Sequence, residues 1–495
     1  MNPKPKKLNI VHVSSEVEPF SKSGGLASIS SALPKTQKEL GYNVSIITPF
    51  YEGIVEKGEI TEEFESEVVS KNEVYKFKVL KGKIGDNIPV FFVSNKKFFG
   101  KKQGLYGSGI DNSRFFFFDL AALEIIKKLG KAPDIIHCHD WQSGLIPYFL
   151  KGRYKSDDFW KKTATLFTIH NLVYQFGHDW WKISSKKKDD GHSILPPLKQ
   201  TKKVENINFA KRAILNADTI NAVSETYREE IMTKDFGEDL HRILKNREER
   251  VFGIVNGIDY KEYNPATDPG LFANYDHNST ERKSQNKEWL QKKFKLKIDP
   301  KIPVICMTSR IAEQKGFEIF LEALQDFLKQ EIQFIIMGDG DREITKVLEK
   351  LQKKFPQKIA VTPFDAKYET SLYAGSDIFL LPSRFEPCGI NQLIALRYGC
   401  IPVVHHIGGL ADTITNFQPN KKIGNGFVFK DYSSTALAIA LTRATENYRY
   451  SDVWKYLTIS ALKEANSWKI PTEKYIDLYK KTIKFKKQNG NSNNH

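Results

Sequence analysis

Lysine, arginine and glycine residues recur in short segments that each follow a predicted strand. The first segment, residues 19–28 (PFSKSGGLAS), places Lys22 two residues before Gly24 and Gly25. The glycines can take positive φ and let the backbone approach a ligand closely, and the predicted helix that follows offers free N–H groups at its start. With the Lys22 ammonium, this segment could bind a diphosphate. A plain tight turn explains it equally well.

Two later segments carry charged residues directly after a predicted strand. Residues 309–316 (SRIAEQKG) contain Arg310 and Lys315, and residues 382–392 (PSRFEPCGINQ) contain Glu386. A planar guanidinium and a compact ammonium suit a pyrophosphate, and a glutamate acts most strongly on a ligand when both are buried. The same residues could instead be two surface cations at a helix start and an exposed loop glutamate.

Strands must end beside these segments if the segments are to form a site. Short apolar runs predict the strands, and because the runs are continuous rather than alternating, we expect helices on both faces of each sheet. The runs are 8–13, 44–48, 89–93, 134–137, 164–168 and 219–223 in the first half, and 303–308, 333–337, 377–381 and 401–404 in the second. An amphipathic helix is predicted over 317–328. The order predicts two α/β domains with ligands at the carboxyl ends of the strands.

The composition limits the class of protein. Lysine and arginine total 75 against 59 aspartate and glutamate, and the net charge of +16 suits an anionic small molecule or a nucleic acid. Four cysteines without a CxxC pair indicate neither a disulfide framework nor a zinc site. There is no apolar run of about 18 residues and no signal-peptide core. We expect a cytoplasmic protein with no membrane partner and, lacking a recognition motif, no nucleic-acid partner.

Several further segments match one known family in the same order along the chain. They are residues 22–26 (KSGGL), 111–115 (DNSRF), 137–144 (HCHDWQSG), 168–175 (TIHNLVYQ), 256–259 (NGID), 309–316, 383–389 (SRFEPCG), 408–412 (GGLAD) and 467–468 (SW). From about residue 8 to about residue 483, the chain resembles the bacterial glycogen synthases and plant-type starch synthases. These are retaining glucosyltransferases that extend an α-1,4-glucan from a nucleotide-activated glucose.

The resemblance implies an α/β fold of GT-B type, with two Rossmann-like domains that face a deep cleft. We expect an N-terminal domain over 1–262 on the acceptor side and a C-terminal domain over 263–468 on the nucleotide-sugar side. A helix over 469–487 would cross back to the N-terminal domain, and 488–495 would be a disordered tail. Turn-forming residues at 256–268 mark the linker, and the lysine-rich residues 182–203 are expected to form an exposed, mobile loop.

The resemblance assigns the cations to the phosphates of the sugar nucleotide. Arg310 and Lys315 would hold these phosphates and neutralise the departing diphosphate, because breaking the anomeric C–O bond builds negative charge there. Lys22, with Gly24 and Gly25, would reach the same diphosphate from the first domain once the cleft closes.

The segment after Glu386 would complete the nucleotide site. By similarity, the N–H groups around Cys388, Gly389 and Ile390 would meet the phosphate, and Asn391 stands where threonine is common but can still donate. Phe364 falls where relatives often have a tyrosine stacked on the base. Stacking survives this change, whereas the hydroxyl contact does not.

The resemblance also assigns residues to the sugar. Glu386 would stabilise the cationic ring or hold sugar hydroxyls, because attack on the leaving-group face retains configuration without an enzyme nucleophile. A covalent route needs a close second carboxylate, and Asp140 is the candidate, although its role in the family is to orient the sugar or the acceptor. His170 and Asn171 would contact the donor glucose, and Asn256 would line its site. Alone, the pair at 170–171 would be read as capping a strand end.

A few positions depart from the family pattern. Ser28 stands where aspartate is common, so that a carboxylate contact is lost or replaced by a hydroxyl. Residues 405–407 (HHI) replace a segment that often carries arginine, and Gln142 replaces a frequent histidine. Arg310, Lys315 and Glu386 are present, and we therefore expect activity.

The expected reaction transfers glucose from ADP-glucose to the non-reducing end of glycogen or a malto-oligosaccharide, with no cofactor and no metal. UDP-glucose is also compatible with the sequence as the donor, because the base pocket cannot be read from it. The sequence is further compatible with a catalytically silent glucan-binding homologue and, by charge alone, with a nucleic-acid-binding protein. A glycogen phosphorylase is disfavoured, since no lysine context resembles a pyridoxal phosphate site.

Overall fold

The computed structural model describes residues 7–53 and 59–491. The chain divides into two compact units, one comprising Met1–Ile254 with Trp468–His495 and the other Val255–Ser467. The expected boundary after residue 262 lies a few residues later than the observed one. The backbone that follows Val255 already forms hydrogen bonds with residues of the second unit. Ile258 N donates to Asn466 O at 2.9 Å, for example.

The strands of the first unit precede those of the second along the chain. They are β1 Asn9–Val13, β2 Asn43–Pro49, β3 Thr61–Ser70, β4 Glu73–Ile84, β5 Ile88–Ser94, β6 Ile135–His139, β7 Ala164–Ile169, β8 Thr219–Ala222, β9 Val251–Gly253, β10 Val304–Thr308, β11 Gln333–Met337, β12 Ile359–Thr362, β13 Ile378–Leu381, β14 Ile401–His405 and β15 Phe427–Phe429. Strands β1 to β9 belong to the first unit and β10 to β15 to the second.

The helices alternate with these strands. They are α1 Gly25–Glu39, α2 Lys96–Phe99, α3 Asp111–Lys128, α4 Leu145–Lys151, α5 Thr201–Val204, α6 Phe209–Asn216, α7 Glu225–Ile231, α8 His241–Lys245, α9 Lys283–Lys293, α10 Phe317–Phe327, α11 Arg342–Lys354, α12 Glu369–Gly375, α13 Asn391–Arg397, α14 Gly408–Thr413, α15 Ser434–Tyr448, α16 Ser451–Lys463 and α17 Lys469–Asn491. A membrane-spanning helix is not found among the described residues, none of which form a helix of the necessary length and apolar character.

The first unit is built on a sheet in the order β3-β4-β5-β2-β1-β6-β7-β8-β9. The strands from β5 to β9 run parallel, and β1 pairs with β2 on one side and β6 on the other, so that Ile10 faces Val44 and Ile135. After β1 the chain continues to β2 on one side of the sheet, and after β6 it continues to β7 on the other side. The carboxyl ends of β1 and β6 therefore flank the switch point, where such sheets bind ligands.

The second unit has a parallel sheet in the order β12-β11-β10-β13-β14-β15. Its switch point lies between β10 and β13, which pair in parallel. All ten predicted strands are present, but β3, β4, β9, β12 and β15 were not predicted. The antiparallel hairpin β3–β4 alternates exposed and buried side chains, a pattern that differs from the continuous apolar runs used for the prediction.

The last helix, α17, belongs to the first unit, as the resemblance implied. Its Tyr475 hydroxyl accepts from Asn221 Nδ2 at 3.0 Å, and its Tyr479 hydroxyl accepts from Gln37 Nε2 at 2.9 Å. These buried tyrosines pack the helix against the sheet and α1. The helix continues to Asn491, so that residues 488–491 are helical and not the start of a disordered tail, whereas 492–495 lie outside the described residues.

The lysine-rich segment 182–203 is anchored, and its prediction as an exposed loop is wrong at Asp189. The Asp189 side chain is 2% exposed and pairs with the buried Arg212, with Nη2 to Oδ1 at 2.7 Å and Nε to Oδ2 at 2.9 Å. Leu198 N also donates to Ser70 Oγ at 3.1 Å. The lysines suggested a solvated segment, but the arginine that holds Asp189 lies on α6 and cannot be identified from composition.

Candidate active site

The segment after β1 forms a polar loop that ends at the start of α1. Lys22 is exposed and its Nζ donates to Glu18 Oε1 at 3.0 Å, while the Ser28 hydroxyl donates to Glu18 Oε2 at 2.7 Å. Gly25 is the first residue of α1, and Gly24 has φ −162°, an extended conformation open to any residue. The expected positive φ is therefore not used here. A Cβ at Gly24 would meet no atom within 4 Å, so the backbone is open to solvent at this point.

Glu16 and Glu18 were missed by the sequence analysis, although both precede the glycine loop directly. Glu16 is buried and accepts hydrogen bonds from Ser23 N, from Ser23 Oγ at 2.7 Å and from the Tyr106 hydroxyl at 2.5 Å. This carboxylate therefore shapes the loop from within. The sequence feature that could have identified them is the presence of two glutamates directly before a segment that resembles a phosphate-binding loop.

Asp140 and His170 lie side by side because β6 and β7 are parallel neighbours that end together. His170 N donates to Asp140 Oδ1 at 2.7 Å. Burial raises the pKa of Asp140 to about 7, against the lowering effect of the N–H groups of His170 and Asn171. Asp140 also has φ 56°, which is unfavourable for a side chain other than glycine and is commonest at functional sites.

Asn171 has a local role beside this pair. Its Oδ1 accepts from Val173 N at 3.1 Å, and its carbonyl accepts from Tyr174 N at 3.2 Å. The side chain thus closes a turn after β7. This geometry matches the capping role for Asn171, whereas His170 has a buried Nδ1 without a hydrogen-bond partner among the described residues.

A cluster of buried histidines lies beneath His170. One ring nitrogen each from His12, His137 and His139 falls within 4.8 Å of the others, a spacing that could hold a metal ion. Each ring nitrogen of these three residues already has a protein partner. A metal would have to displace these hydrogen bonds, and our expectation of no metal therefore stays a prediction.

In the second unit, Lys315 and Glu386 form an ion pair across the carboxyl ends of β10 and β13. Lys315 Nζ lies 2.5 Å from Glu386 Oε2, and both side chains are less than one fifth exposed. Ser383 Oγ donates to the same oxygen at 3.1 Å. Arg310 is exposed, and its one side-chain hydrogen bond in the described structure is to Gln314 Oε1 at 3.3 Å. The structure thus joins Lys315 to Glu386 and places the exposed Arg310 after β10, at the same edge of the sheet.

Two glycines allow neighbouring loops at the carboxyl edge of the second sheet to approach each other closely. Gly316 has φ 75°, and a Cβ there would lie 2.0 Å from Pro382 O. A Cβ at Gly409 would lie 1.9 Å from Cys388 O. Any other residue would separate the Lys315 turn from β13, or α14 from the turn after Glu386.

Asn256 and Asn391 flank the turn that contains Cys388, Gly389 and Ile390. Asn256 N donates to Cys388 Sγ at 3.4 Å, and the Asn256 side chain also bonds to this sulfur, while its buried Oδ1 has no partner among the described residues. Asn391 Nδ2 donates to Thr308 O at 2.9 Å and so ties α13 to β10. A buried amide oxygen without a partner is costly unless a ligand satisfies it.

Phe364 follows β12 and is 46% exposed as a residue, while its N–H donates to Asp339 Oδ2 at 3.2 Å. An exposed ring at the carboxyl edge of the sheet can stack on a planar base.

His405, one of the positions that depart from the family pattern, is buried, and its ring nitrogens lie 2.8 Å from Ser383 O and 3.1 Å from Lys430 O. That histidine therefore supports the loop of Glu386 from below.

The chain is similar to known proteins over both units. Residues 9–246 match the family model for the starch synthase catalytic domain, and residues 290–458 match the model for glycosyl transferases group 1. A glycogen synthase of Geotalea daltonii is 40% identical over 485 residues, covering 96% of this chain and 98% of the relative. A glycogen synthase of Thermosipho melanesiensis is 38% identical over 486 residues, covering 96% and 99%.

A solved structure agrees with these relatives. The catalytic domain of starch synthase IV from Arabidopsis thaliana, bound to ADP and acarbose, is 30% identical and superposes with a TM-score of 0.84. The match covers 97% of this chain and 100% of that domain. The two α/β units described above are the two domains of a GT-B fold, as expected. By this similarity over almost its entire length, the chain belongs to the glycogen synthase family of glycosyltransferases.

Proposed function

We propose that the chain transfers glucose from ADP-glucose to the non-reducing end of an α-1,4-glucan, with retention of the anomeric configuration. The observation that carries the proposal is the grouping of Arg310, Lys315 and Glu386 at one sheet edge. Cleaving a sugar nucleotide separates a negative charge on the phosphate from a positive charge on the ring. The ion-paired Lys315 and Glu386, with Arg310 at the same sheet edge, supply a group for each of these charges.

Lys315 and Glu386 act as a unit in this proposal. The ammonium and Arg310 neutralise the leaving diphosphate, and the carboxylate stabilises the ring cation or holds the sugar hydroxyls. The ion pair keeps both charges in place before the substrate binds, so that little reorganisation is needed in the transition state. The turn at Cys388, Gly389 and Ile390 would add N–H donors to the phosphate.

By resemblance, His170 and Asn256 are assigned to the transferred sugar. In their own units, His170 Nδ1 and Asn256 Oδ1 are each buried without a partner among the described residues. Asp140 orients the N–H of His170. Lys22, held by Glu18, is assigned to the phosphates by resemblance, with Gly24 and Gly25 leaving the backbone accessible.

ADP-glucose is proposed over UDP-glucose because of a relative. The Arabidopsis starch synthase IV domain, 30% identical to this chain, is described with bound ADP. Phe364 offers an exposed ring for a base, although it would stack on adenine or uracil alike. The acceptor is proposed to be glycogen or a malto-oligosaccharide, and no cofactor is assigned.

Radioactive glucose transfer from ADP-glucose and from UDP-glucose into glycogen primer tests this proposal. We expect transfer from ADP-glucose with the higher kcat/KM, and release of the label as maltose by an amylase specific for α-1,4 bonds. Treatment with a chelator should leave the rate unchanged, because side-chain cations meet the phosphate charge. Preferred use of UDP-glucose would overturn the donor assignment, and absence of transfer from both donors would indicate a silent glucan-binding protein.

A further inference from the structure

A continuous series of hydrogen bonds, buried except for its partly buried last member, joins four side chains of the first unit. Gln37 Oε1 lies 2.8 Å from His12 Nε2. His12 Nδ1 lies 3.0 Å from His139 Nε2, and His139 Nδ1 lies 3.0 Å from His170 Nε2. We call Gln37, His12, His139 and His170 the histidine chain. It runs from α1 through β1 and β6 to the carboxyl end of β7.

The histidines of this chain are neutral near physiological pH. Burial lowers the pKa of His12 to about 4 and that of His170 to about 3. Burial, together with the neighbouring imidazoles, also lowers the pKa of His139 well below its ordinary value. A neutral imidazole carries one ring proton, so one nitrogen donates and the other accepts.

The end of the chain at Gln37 determines where each proton lies. The Gln37 carbonyl oxygen can only accept, so His12 carries its proton on Nε2 and leaves Nδ1 as an acceptor. His139 must then donate from Nε2 to His12, and His170 must donate from Nε2 to His139. Each step leaves Nδ1 of the donating ring unprotonated. The last of these, His170 Nδ1, is buried and has no partner among the described residues.

A second branch of hydrogen bonds meets the Gln37 amide at its NH₂ group. Gln37 Nε2 donates to the Tyr479 hydroxyl at 2.9 Å, and that hydroxyl lies 2.8 Å from His137 Nδ1. His137 Nε2 in turn lies 2.7 Å from Thr168 Oγ1. In this arrangement the Tyr479 hydroxyl accepts from the Gln37 NH₂ group, and the Gln37 oxygen lies against His12.

We propose that Gln37, His12 and His139 are positioning residues that hold His170, which the resemblance assigns to the donor glucose, as its Nε2–H tautomer with Nδ1 a fixed acceptor. The sugar half of this inference rests on the proposed function. A preset acceptor in a buried site favours a sugar that presents a hydroxyl there, because an analogue without it leaves Nδ1 unpaired. His170 contacts the substrate in this scheme, and the other three residues act through it.

The tautomer can be measured without any substrate. In protein labelled with ¹⁵N at its histidines, a long-range ¹H–¹⁵N correlation spectrum separates protonated from bare ring nitrogens. At neutral pH we expect His170, identified by the signal lost in His170→Gln, to show a bare Nδ1 and a protonated Nε2. A proton on Nδ1, or a charged ring, would overturn the inference.

A matched pair of variants distinguishes control of the His170 tautomer from a general contribution to the stability of this buried region. Gln37→Leu removes the acceptor that sets the direction, and we expect a mixture of His170 tautomers and a fall of about 10-fold in kcat/KM, the range of one lost hydrogen bond. Thr168→Val removes a hydroxyl from the neighbouring branch at His137 and leaves the histidine chain intact. That variant should keep the His170 spectrum, with kcat/KM within about twofold. Equal spectra for wild type and Gln37→Leu would overturn the proposal.

Donor analogues that each lack one sugar hydroxyl test the contact with the substrate. We expect one analogue to lose about 10-fold or more in kcat/KM with the wild-type enzyme but not with His170→Ala. Equal penalties in both enzymes for every analogue would overturn the sugar contact. If the wild type transfers no glucose from any donor, the proposed function and the sugar contact fail together, while the spectrum still decides the tautomer. Normal transfer with the other tautomer overturns this inference alone.

Discussion

At Ser28, where the resemblance led us to expect an aspartate, the structure shows what the hydroxyl does. It donates to Glu18, which also accepts from Lys22. Partial burial of Glu18 opposes ionisation, but the hydrogen bonds from Ser28 and Lys22 and the charges of Lys22 and Lys35 together lower its pKa below the ordinary value. The carboxylate beside Lys22 is therefore supplied by Glu18.

Restoring aspartate at position 28 should harm the enzyme. Ser28→Asp would place a second carboxylate within hydrogen-bond distance of Glu18, and we expect kcat/KM to fall by about 10-fold, equivalent to about 1.4 kcal/mol. The double variant Glu18→Ala with Ser28→Asp should recover activity, because one carboxylate again remains for Lys22. Steady-state kinetics of the three proteins decide the point, and equal or higher activity of the single variant would show that serine is a tolerated loss.

Loss of Lys315 should slow the chemical step. Lys315→Ala removes a preorganised cation and leaves Glu386 without its partner at 2.5 Å, and we expect kcat to fall on the order of 10²-fold or more. Lys329→Ala is a suitable control, since Lys329 also forms an ion pair, with Asp326, but in an exposed position. Near-normal turnover of Lys315→Ala would defeat the role assigned to this residue.

At the scale of elements, the adjacent carboxyl ends of the parallel strands β6 and β7 bury Asp140, whose carboxyl group has a raised pKa. Asp140 accepts the first N–H after β7, yet burial still raises its pKa to about 7. A raised pKa means that the folded protein binds this proton more tightly than the unfolded chain does. Stability from this group is complete below the unfolded value of about 4 and is lost as the pH rises through about 7.

The melting temperature of Asp140→Asn should therefore depend less on pH than that of the wild type. As the pH rises from about 5 to about 8, we expect the wild type to lose stability relative to the variant, because only the wild type must bury a new charge. Calorimetry of both proteins across this range measures the difference, and other titrating groups cancel in it. A constant or opposite difference would contradict the assignment of the shift to Asp140.

At the scale of the whole molecule, α17 contributes to the first unit although it follows the second along the chain. Its Tyr475 and Tyr479 are fully buried and join β8, β6 and α1. The first unit therefore cannot complete its fold until α17 has been synthesised.

Truncation of one of these tyrosines should weaken the first unit selectively. For Tyr475→Ala we expect the free energy of unfolding of that unit to drop by about 3 to 5 kcal/mol, as for other large buried aromatic side chains. The neighbouring Lys480→Ala, whose side chain is 63% exposed, should change it by less than about 0.5 kcal/mol. Differential scanning calorimetry with limited proteolysis assigns the transitions to the units, and an equal shift in both would contradict the selective effect.

Much of the fold and some of the site could be predicted from the sequence. Apolar runs predicted the parallel strands, because strands buried on both faces need such runs, and Arg310, Lys315 and Glu386 were located by their places after these strands. The hairpin β3–β4 was missed because one of its faces is exposed, and Asp189 was misjudged because its partner Arg212 lies on another element.

What the sequence by itself determined was the class of the protein: two α/β units, the family, and the chemical groups at the ends of the strands. Only the tertiary structure decided how those groups pair. It joined Glu18 to Ser28 and Lys22, Lys315 to Glu386, and Gln37 to His170 through two further histidines. Hydrogen bonds form between neighbours in space, and the fold brings residues such as Gln37 and Tyr479 together from opposite ends of the chain.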